Sequence, residues 1–321
     1  MANEYTNTTS KLKSGVSVIL PSFNGEEYIL DQIRSIENQA NVDIEIIVVD
    51  DGSTDMTLSL VQNHFGSSPD RKLVGFPHNR GQQTAIAVGV ALASRMFVSF
   101  ADQDDIWDPT KLEYSLEVLK SRPSAWAVFT DLQPVDAQLR NIGTSALQRL
   151  RFHPSMVQKW SLLLQNPVYG CTLLTETAKA RASLPPPEGA LHDRWLGYLA
   201  ARESALAFGP RSTMRYRQHG NNQLGVAESK VVGLYRRSQS LAQFSKASTA
   251  RRQRLVNMLG SLADATFSER VMRRYLGSGR CTRVVLLPAY LSLSRVLAWR
   301  TPWSVWALDA AAALPGSGLR S

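Results

Sequence analysis

Cysteine is scarce. Cys171 and Cys281 are the only two in 321 residues; they show no metal-ligand spacing and give no sign of a disulfide framework. Long apolar runs are missing as well. The best candidate for a membrane span is interrupted by Arg295 and Arg300, short of the roughly 20 apolar residues a spanning helix needs. A signal-like N-terminus is also lacking, because Met1–Ser14 is polar, with Asn, Thr and Ser throughout. From these absences a cytoplasmic protein is expected. Internal repeats and low-complexity segments do not occur either. What remains is ordinary folded material, 44% apolar and 20% charged, enough for one large domain with an appendage.

Acidic residues run short at one end only. Residues 226–321 hold 15 Lys/Arg against 4 Asp/Glu, a balance of +11 in a chain whose net charge is +9. Residues 1–225 therefore carry the difference, −2. Such asymmetry directs the C-terminal part toward an anionic surface, nucleic acid or membrane. The composition changes near Gly225, which divides the chain into a polar tail (1–13), a main domain (14–225) and a basic, helical region (226–321).

Within the main domain, strand and helix signals alternate. Val16–Leu20 is a short β-branched run bounded by Gly15 and Pro21, followed by an N-cap and capping-box pair, Asn24 and Glu27, before Ile29, Leu30, Ile33 and Ile36 at helical spacing. Ile44–Val49 is the second strand, and Ser53 or Thr54 can cap the helix that runs to about His64. Leu73–Phe76, the helix Gln82–Ser94 and the strand Met96–Phe100 continue the pattern. Pro109 suits the first turn of a helix ending near Lys120, and Ala125–Thr130 is another strand. Beyond it come the amphipathic stretch Met156–Leu164, an extended segment Asn166–Leu174, a helix opened by His192 and Asp193, and a strand Arg211–Tyr216. The alternation predicts an α/β fold with a mainly parallel sheet covered on both faces.

The chemistry concentrates at strand ends. Asp102, Asp104 and Asp105 follow the Met96–Phe100 strand directly, at the sheet edge where open α/β folds bind ligands. Mutually repelling carboxylates call for a cation, and hard oxygen donors suit Mg²⁺ or Mn²⁺. Asp51, after the second strand, can accept a hydrogen bond from the imide of a pyrimidine base, or cap the next helix. Asp193 at a helix N-terminus is stabilised as an anion and is free for proton transfer. His219 follows a strand beside Asn221 and Asn222, and imidazole can join carboxylates around a metal. Trp107 and Trp195 can stack on a sugar face or pack in the core.

Six motifs in order, VSVILPSFNGEEY, IIVVDDGSTD, FADQDDIW, GCTLL, HDRW and YRQHGNN, resemble family 2 glycosyltransferases of the GT-A fold. The match covers about residues 14–225 and looks most like the bacterial rhamnosyltransferases of surface-polysaccharide or O-antigen synthesis. The resemblance implies a metal-dependent, inverting transfer from a nucleotide diphosphate sugar (dTDP- or UDP-linked) to a glycan or lipid-linked glycan at the inner face of the membrane. It further implies that Pro21, Ser22 and Asp51 line the base, that Asp102 meets the ribose or metal, and that Asp104 and His219 bind the metal. Asp193 becomes the general base, and Asp105, Trp107, Gly170, Cys171 and Trp195 become acceptor or sugar contacts. Arg194 stands where the group often carries a second tryptophan. The alternatives are another nucleotide-activated hexose and a non-catalytic nucleotide-sugar-binding protein. A sugar nucleotidyltransferase would need a glycine-rich loop with Arg after the first strand, and PSFNGEEY has none.

The region 226–321 resembles no family. Arg236, Arg237, Arg251, Arg252, Arg254, Arg273 and Arg274 lie among apolar residues at roughly helical spacing, and Trp299, Trp303 and Trp306 lie near Arg295 and Arg300. That mixture suits a helix on an anionic bilayer, or a helical cap with a solvated basic face. No recognition motif accompanies the charge, so no nucleic-acid partner is expected.

Overall fold

The structure, a computed structural model, describes residues 13–154, 157, 162, 166–219, 253–265, 270 and 273. Eight strands form one mixed sheet in the order β3-β2-β1-β4-β7-β6-β8-β5. The strands are β1 (Lys13–Ser22), β2 (Ile44–Asp50), β3 (Arg71–Gly75), β4 (Arg95–Phe100), β5 (Ile106–Trp107), β6 (Ala127–Val135), β7 (Leu173–Glu176) and β8 (Leu206–Arg217). β1 to β4 are mutually parallel, as the strand–helix alternation predicts. β7 runs antiparallel between β4 and β6, β8 pairs parallel with β6, and β5 closes the edge antiparallel to β8.

Helices cover both faces: α1 (Ile29–Glu37), α2 (Thr57–Phe65), α3 (Gln82–Leu92), α4 (Lys111–Lys120), α5 (Ala146–Arg149), α6 (Thr177–Ser183) and α7 (His192–Arg202). The two-residue period of a strand sends the apolar residues of β1 alternately to both covered faces of the sheet. Val16, Val18 and Leu20 pack with Ile29, Ile33 and Ile36 of α1 on one side. Ile19 packs with Ala85, Ile86 and Val90 of α3 on the other.

Several local expectations are corrected. Asn24 and Glu27 form no capping box: α1 begins after Tyr28, while Asn24 sits at φ +47° and its Oδ1 accepts the Thr54 amide at 2.9 Å. Neither Ser53 nor Thr54 caps α2; Asp55 Oδ1 accepts the Thr57 amide at 3.0 Å instead. These loops are stitched to each other before they are stitched to their own helices, which local sequence spacing cannot reveal. The segment expected to be extended through Leu174 contains a 3₁₀ turn, Gly170–Thr172, before β7. The amphipathic stretch 156–164 lies mostly outside the described residues.

Part of the basic C-terminal region rests on the main domain. Residues 253–260 are helical and bury Leu255, Met258 and Leu259. Asn257 donates to the Glu188 carbonyl at 3.2 Å, and Arg202 reaches Asp264 at 3.1 Å. The tryptophans expected near Arg295 and Arg300 lie outside the described residues. Among those described, no helix is long and apolar enough to cross a membrane.

Candidate active site

The C-terminal ends of β1, β2 and β4 lie side by side, so the loops after Ser22, Asp50 and Phe100 share one edge of the sheet. Ser22 Oγ donates to Asp50 Oδ1 at 3.1 Å, and Asp50 also accepts the Ser53 amide at 2.9 Å. Pro21, Ser22 and Asp51 are buried. Asp51 accepts the Arg80 amide at 2.6 Å through Oδ1 and the Gly81 amide at 2.9 Å through Oδ2. Its first task is thus to hold the loop before α3, and a base would use its remaining lone pairs.

The acidic loop after β4 distributes its carboxylates by depth. Asp104 Oδ2 lies 2.8 Å from His219 Nε2, so the end of β8 meets the end of β4. Asp102 is half-buried, and burial together with the neighbouring Asp104 charge pushes its pKa up to about 7, against a hydrogen bond from the Cys171 thiol. Asp105 is fully buried and its Oδ1 accepts the Arg217 amide at 3.0 Å. Burial and the neighbouring acids raise its pKa well above the usual range. That removes Asp105 and the buried Cys171 from the expected sugar contacts.

Two basic residues that sequence reasoning missed hold this loop. Arg217 is buried; Nε donates to the Asp104 carbonyl at 2.8 Å, Nη1 to the Ala137 carbonyl at 2.6 Å, and the guanidinium lies 4.5 Å over the Tyr28 ring. Lys111 is also buried, with Nζ 4.7 Å from the centre of the Trp107 ring. Burial lowers its pKa to about 8, opposed by Cys171, Asp105 and Asp108. Donor atoms of Asp102, Asp105 and Cys171 lie within 4.8 Å of one another, but a thiol is a soft donor, and Asp105 and Cys171 already interact with the buried Lys111. The oxygen and imidazole donors of Asp104 and His219, with Asp102 beside them, are the better fit to Mg²⁺ or Mn²⁺. Arg217 is the second residue of the YRQHGNN motif; nothing in the sequence pattern marks Lys111.

Asp193 lies in the first turn of α7, whose start is fixed by the His192 amide donating to Gln83 Oε1 at 2.9 Å. Its Oδ1 accepts the Arg194 amide at 2.5 Å, and Asn166 Nδ2 stands 3.4 Å from Oδ2. The helix dipole alone would keep this carboxylate in the ordinary range. Burial outweighs it and pushes the pKa up to about 6. Gly170 and Cys171 lie between the acidic loop and the start of α7. The Cys171 thiol meets Asp102, and a Cβ at Gly170 would lie 2.7 Å from His192 Nε2 and 3.8 Å from the Asp193 Cβ. The negative charge of Asp193 in turn helps to raise Asp102.

Trp107 and Trp195, expected either on a sugar or in the core, are core residues. The Trp107 amide donates to Ser35 Oγ at 3.0 Å, and Trp195 Nε1 donates to the Ser183 carbonyl at 2.9 Å, with its ring stacked 6.4 Å from Tyr198. An indole that shows its face to the interior serves packing.

A mixed α/β sheet with carboxylates gathered at the carboxyl ends of its parallel strands has its candidate site where open α/β folds bind ligands. Residues 17–175 match the family described as Glycosyl transferase family 2, and the chain carries a domain of that family. An uncharacterized glycosyltransferase of Nostoc sp. is 34% identical over 133 residues, covering 41% of each chain. The dTDP-rhamnosyl transferase RfbG of Shigella flexneri is 26% identical over 299 residues, covering 86% of this chain and 94% of that one. This chain spans less than half the length of the first curated relatives it matches. Among solved structures, S. aureus TarS 1–349 with UDP-GlcNAc superposes with a TM-score of 0.57 at 17% identity, over 82% of this chain and 73% of that one. Mannosyltransferase PcManGT of Pyrobaculum calidifontis, with GDP-Man and Mn²⁺, superposes with a TM-score of 0.53 at 18% identity, over 94% and 80%. The fold is the GT-A arrangement of these enzymes.

Proposed function

We propose that this protein transfers a sugar from a nucleoside diphosphate donor to a hydroxyl acceptor, with inversion at the transferred carbon and with a divalent cation. The observation that carries the reading is the pairing of Asp104 with His219, next to Asp102, whose carboxyl also feels the charge of Asp193. Pro21, Ser22 and Asp51 receive the base, and Asp102 the ribose or cation. Asp104 and His219 hold the cation, which when bound offsets charge on the diphosphate. Asp193 takes the proton of the acceptor hydroxyl as its oxygen bonds to the sugar carbon. The carbon–phosphate-oxygen bond breaks on the opposite face, and the diphosphate leaves with the electron pair. A base with a pKa of about 6 is mostly ionised at neutral pH, yet basic enough to share a proton in the transition state.

Similarity to a dTDP-rhamnosyl transferase along nearly the whole chain supports a deoxysugar donor and a surface-glycan acceptor. Complexes of TarS with UDP-GlcNAc and of PcManGT with GDP-Man and Mn²⁺ support a nucleotide-linked donor and a divalent cation. The +11 balance of residues 226–321 supports work at an anionic membrane surface, where lipid-linked acceptors reside. The deciding experiment incubates the protein with dTDP-, UDP- and GDP-sugars plus Mn²⁺ and measures released nucleoside diphosphate. Release from one donor, abolished by EDTA, is expected; no release from any donor would remove the catalytic reading.

A further inference from the structure

We propose that Gln103 is a positioning residue that makes nucleotide binding and cation binding depend on each other; the proposal rests on the donor-and-cation reading above. Gln103 stands between Asp102 and Asp104, yet its side chain leaves the acidic loop for the loop after β1. Its Oε1 accepts the Phe23 amide at 2.9 Å, and its Nε2 donates to the Phe23 carbonyl at 3.1 Å. One side-chain amide thus satisfies both backbone groups of a residue 80 positions away, as a neighbouring strand would. Space agrees with the bonding. A Cβ at Gly25 would lie 2.4 Å from Gln103 Oε1 and 2.5 Å from Cδ, so the clamp closes only over glycine.

The loop that Gln103 grips is also tied to the end of β2. The Asn24 amide donates to Ser53 Oγ at 2.9 Å, the Thr54 amide to Asn24 Oδ1 at 2.9 Å, and the Gly25 amide to Thr57 Oγ1 at 2.8 Å. The segment after β1 is therefore one rigid partner shared by the base-side loops, and Gln103 links it to the acidic loop. A nucleoside diphosphate laid from Asp51 to Asp104 touches both ends of this linkage. A ligand that shifts either loop shifts the other through this linkage, so each binding event changes the site that the other meets. By linkage the effect is reciprocal.

The test is calorimetric titration of the full chain with UDP and with dTDP, each with and without Mn²⁺. It compares wild type, Gln103→Leu (which keeps bulk and removes both hydrogen bonds) and Gly25→Ala (which evicts the side chain from the other side). In wild type Mn²⁺ tightens nucleotide binding. In both variants that gain falls about tenfold, within the usual range of coupling between sites, while affinity without metal holds within about twofold. The double variant is no worse than either single one, because both remove the same clamp. An unchanged gain in both variants overturns the proposal. An equal loss with and without Mn²⁺ does so too, because Gln103 would then be plain pocket wall. A wild-type protein whose nucleotide binding ignores Mn²⁺ would instead defeat the cation reading itself, and that result is read before any substitution is made.

Discussion

His219 Nε2 lies 2.8 Å from Asp104 Oδ2, although 115 residues separate them in the chain. Arg217 brings them together: its amide is bound by Asp105 and its guanidinium by the Asp104 carbonyl, so the end of β8 is riveted to the acidic loop two residues before the histidine. An imidazole and a carboxylate set this way can share a cation in place of a proton.

Replacing Asp104 or His219 by alanine should therefore abolish the Mn²⁺-dependent part of nucleotide binding. Even groups that merely support metal ligands typically matter by ~10–100-fold, and a direct ligand should matter no less. Calorimetry with nucleoside diphosphate and Mn²⁺ measures it. Wild-type affinity in Asp104→Ala would disprove the assignment.

Asp193→Asn keeps the shape and hydrogen bonding of the side chain but removes its basicity. Turnover should fall by roughly 10²-fold or more with donor affinity near wild type. The pH profile adds a sign. With a pKa of about 6, the wild-type carboxylate is protonated as pH drops through 6, so the rate should fall on that side and hold above it. The variant should lose that acid limb. A collapse of donor binding together with turnover would make Asp193 a donor-site residue instead.

His192 makes the fold sensitive to acid. Burial lowers its imidazole to about 3 from an ordinary 6.5, so between those values the unfolded chain binds a proton that the folded one does not. Stability from this group is present above 6.5 and is lost as pH falls, by up to about 1.4 kcal/mol per pH unit. Asp193, raised to about 6, works in the opposite direction below that pH, because its folded form holds the proton more tightly. The clean readout is thus the difference between His192→Leu and wild type in urea unfolding at pH 7.5 and pH 5. The variant should gain on wild type at the lower pH, and a difference independent of pH would exclude His192 as the source.

Gly89 decides how closely α3 lies on the sheet. A Cβ there would come 2.4 Å from Ile19 Cγ2 and 3.4 Å from Val49 Cγ2. Alanine would help the helix by about 1 kcal/mol, but overpacking a dense core costs about 1–3 kcal/mol, so Gly89→Ala should be net destabilising. An unchanged or raised urea midpoint would show that the helix shifts without cost.

The parallel half of the fold was legible because its signals are local. β-branched runs such as Val16–Leu20 and Ile44–Val49, with helical apolar periods between them, need only neighbours in sequence to be read. The acidic loop and the helix carrying Asp193 were legible for the same reason, since each is a motif at the end of such an element. Caps were misread where the loops answer to each other: Asn24 looks like a helix cap, but its side-chain Oδ1 accepts the amide of Thr54, 30 positions away.

Taken alone, the amino-acid order determined which residues carry charge at which strand ends, and hence the kind of ligand the site can take. Depth was decided only by the tertiary structure. Asp102, Asp104 and Asp105 are near-neighbours in sequence, yet one is half-buried beside Cys171, one faces His219, and one is fully enclosed against Arg217. The same step sent Trp107 and Trp195 to the core and raised Asp193 to about 6. The physical reason is that solvation depends on everything packed around a group, including strands β7 and β8 that arrive from far along the chain, whereas a sequence motif records only the group's covalent neighbours.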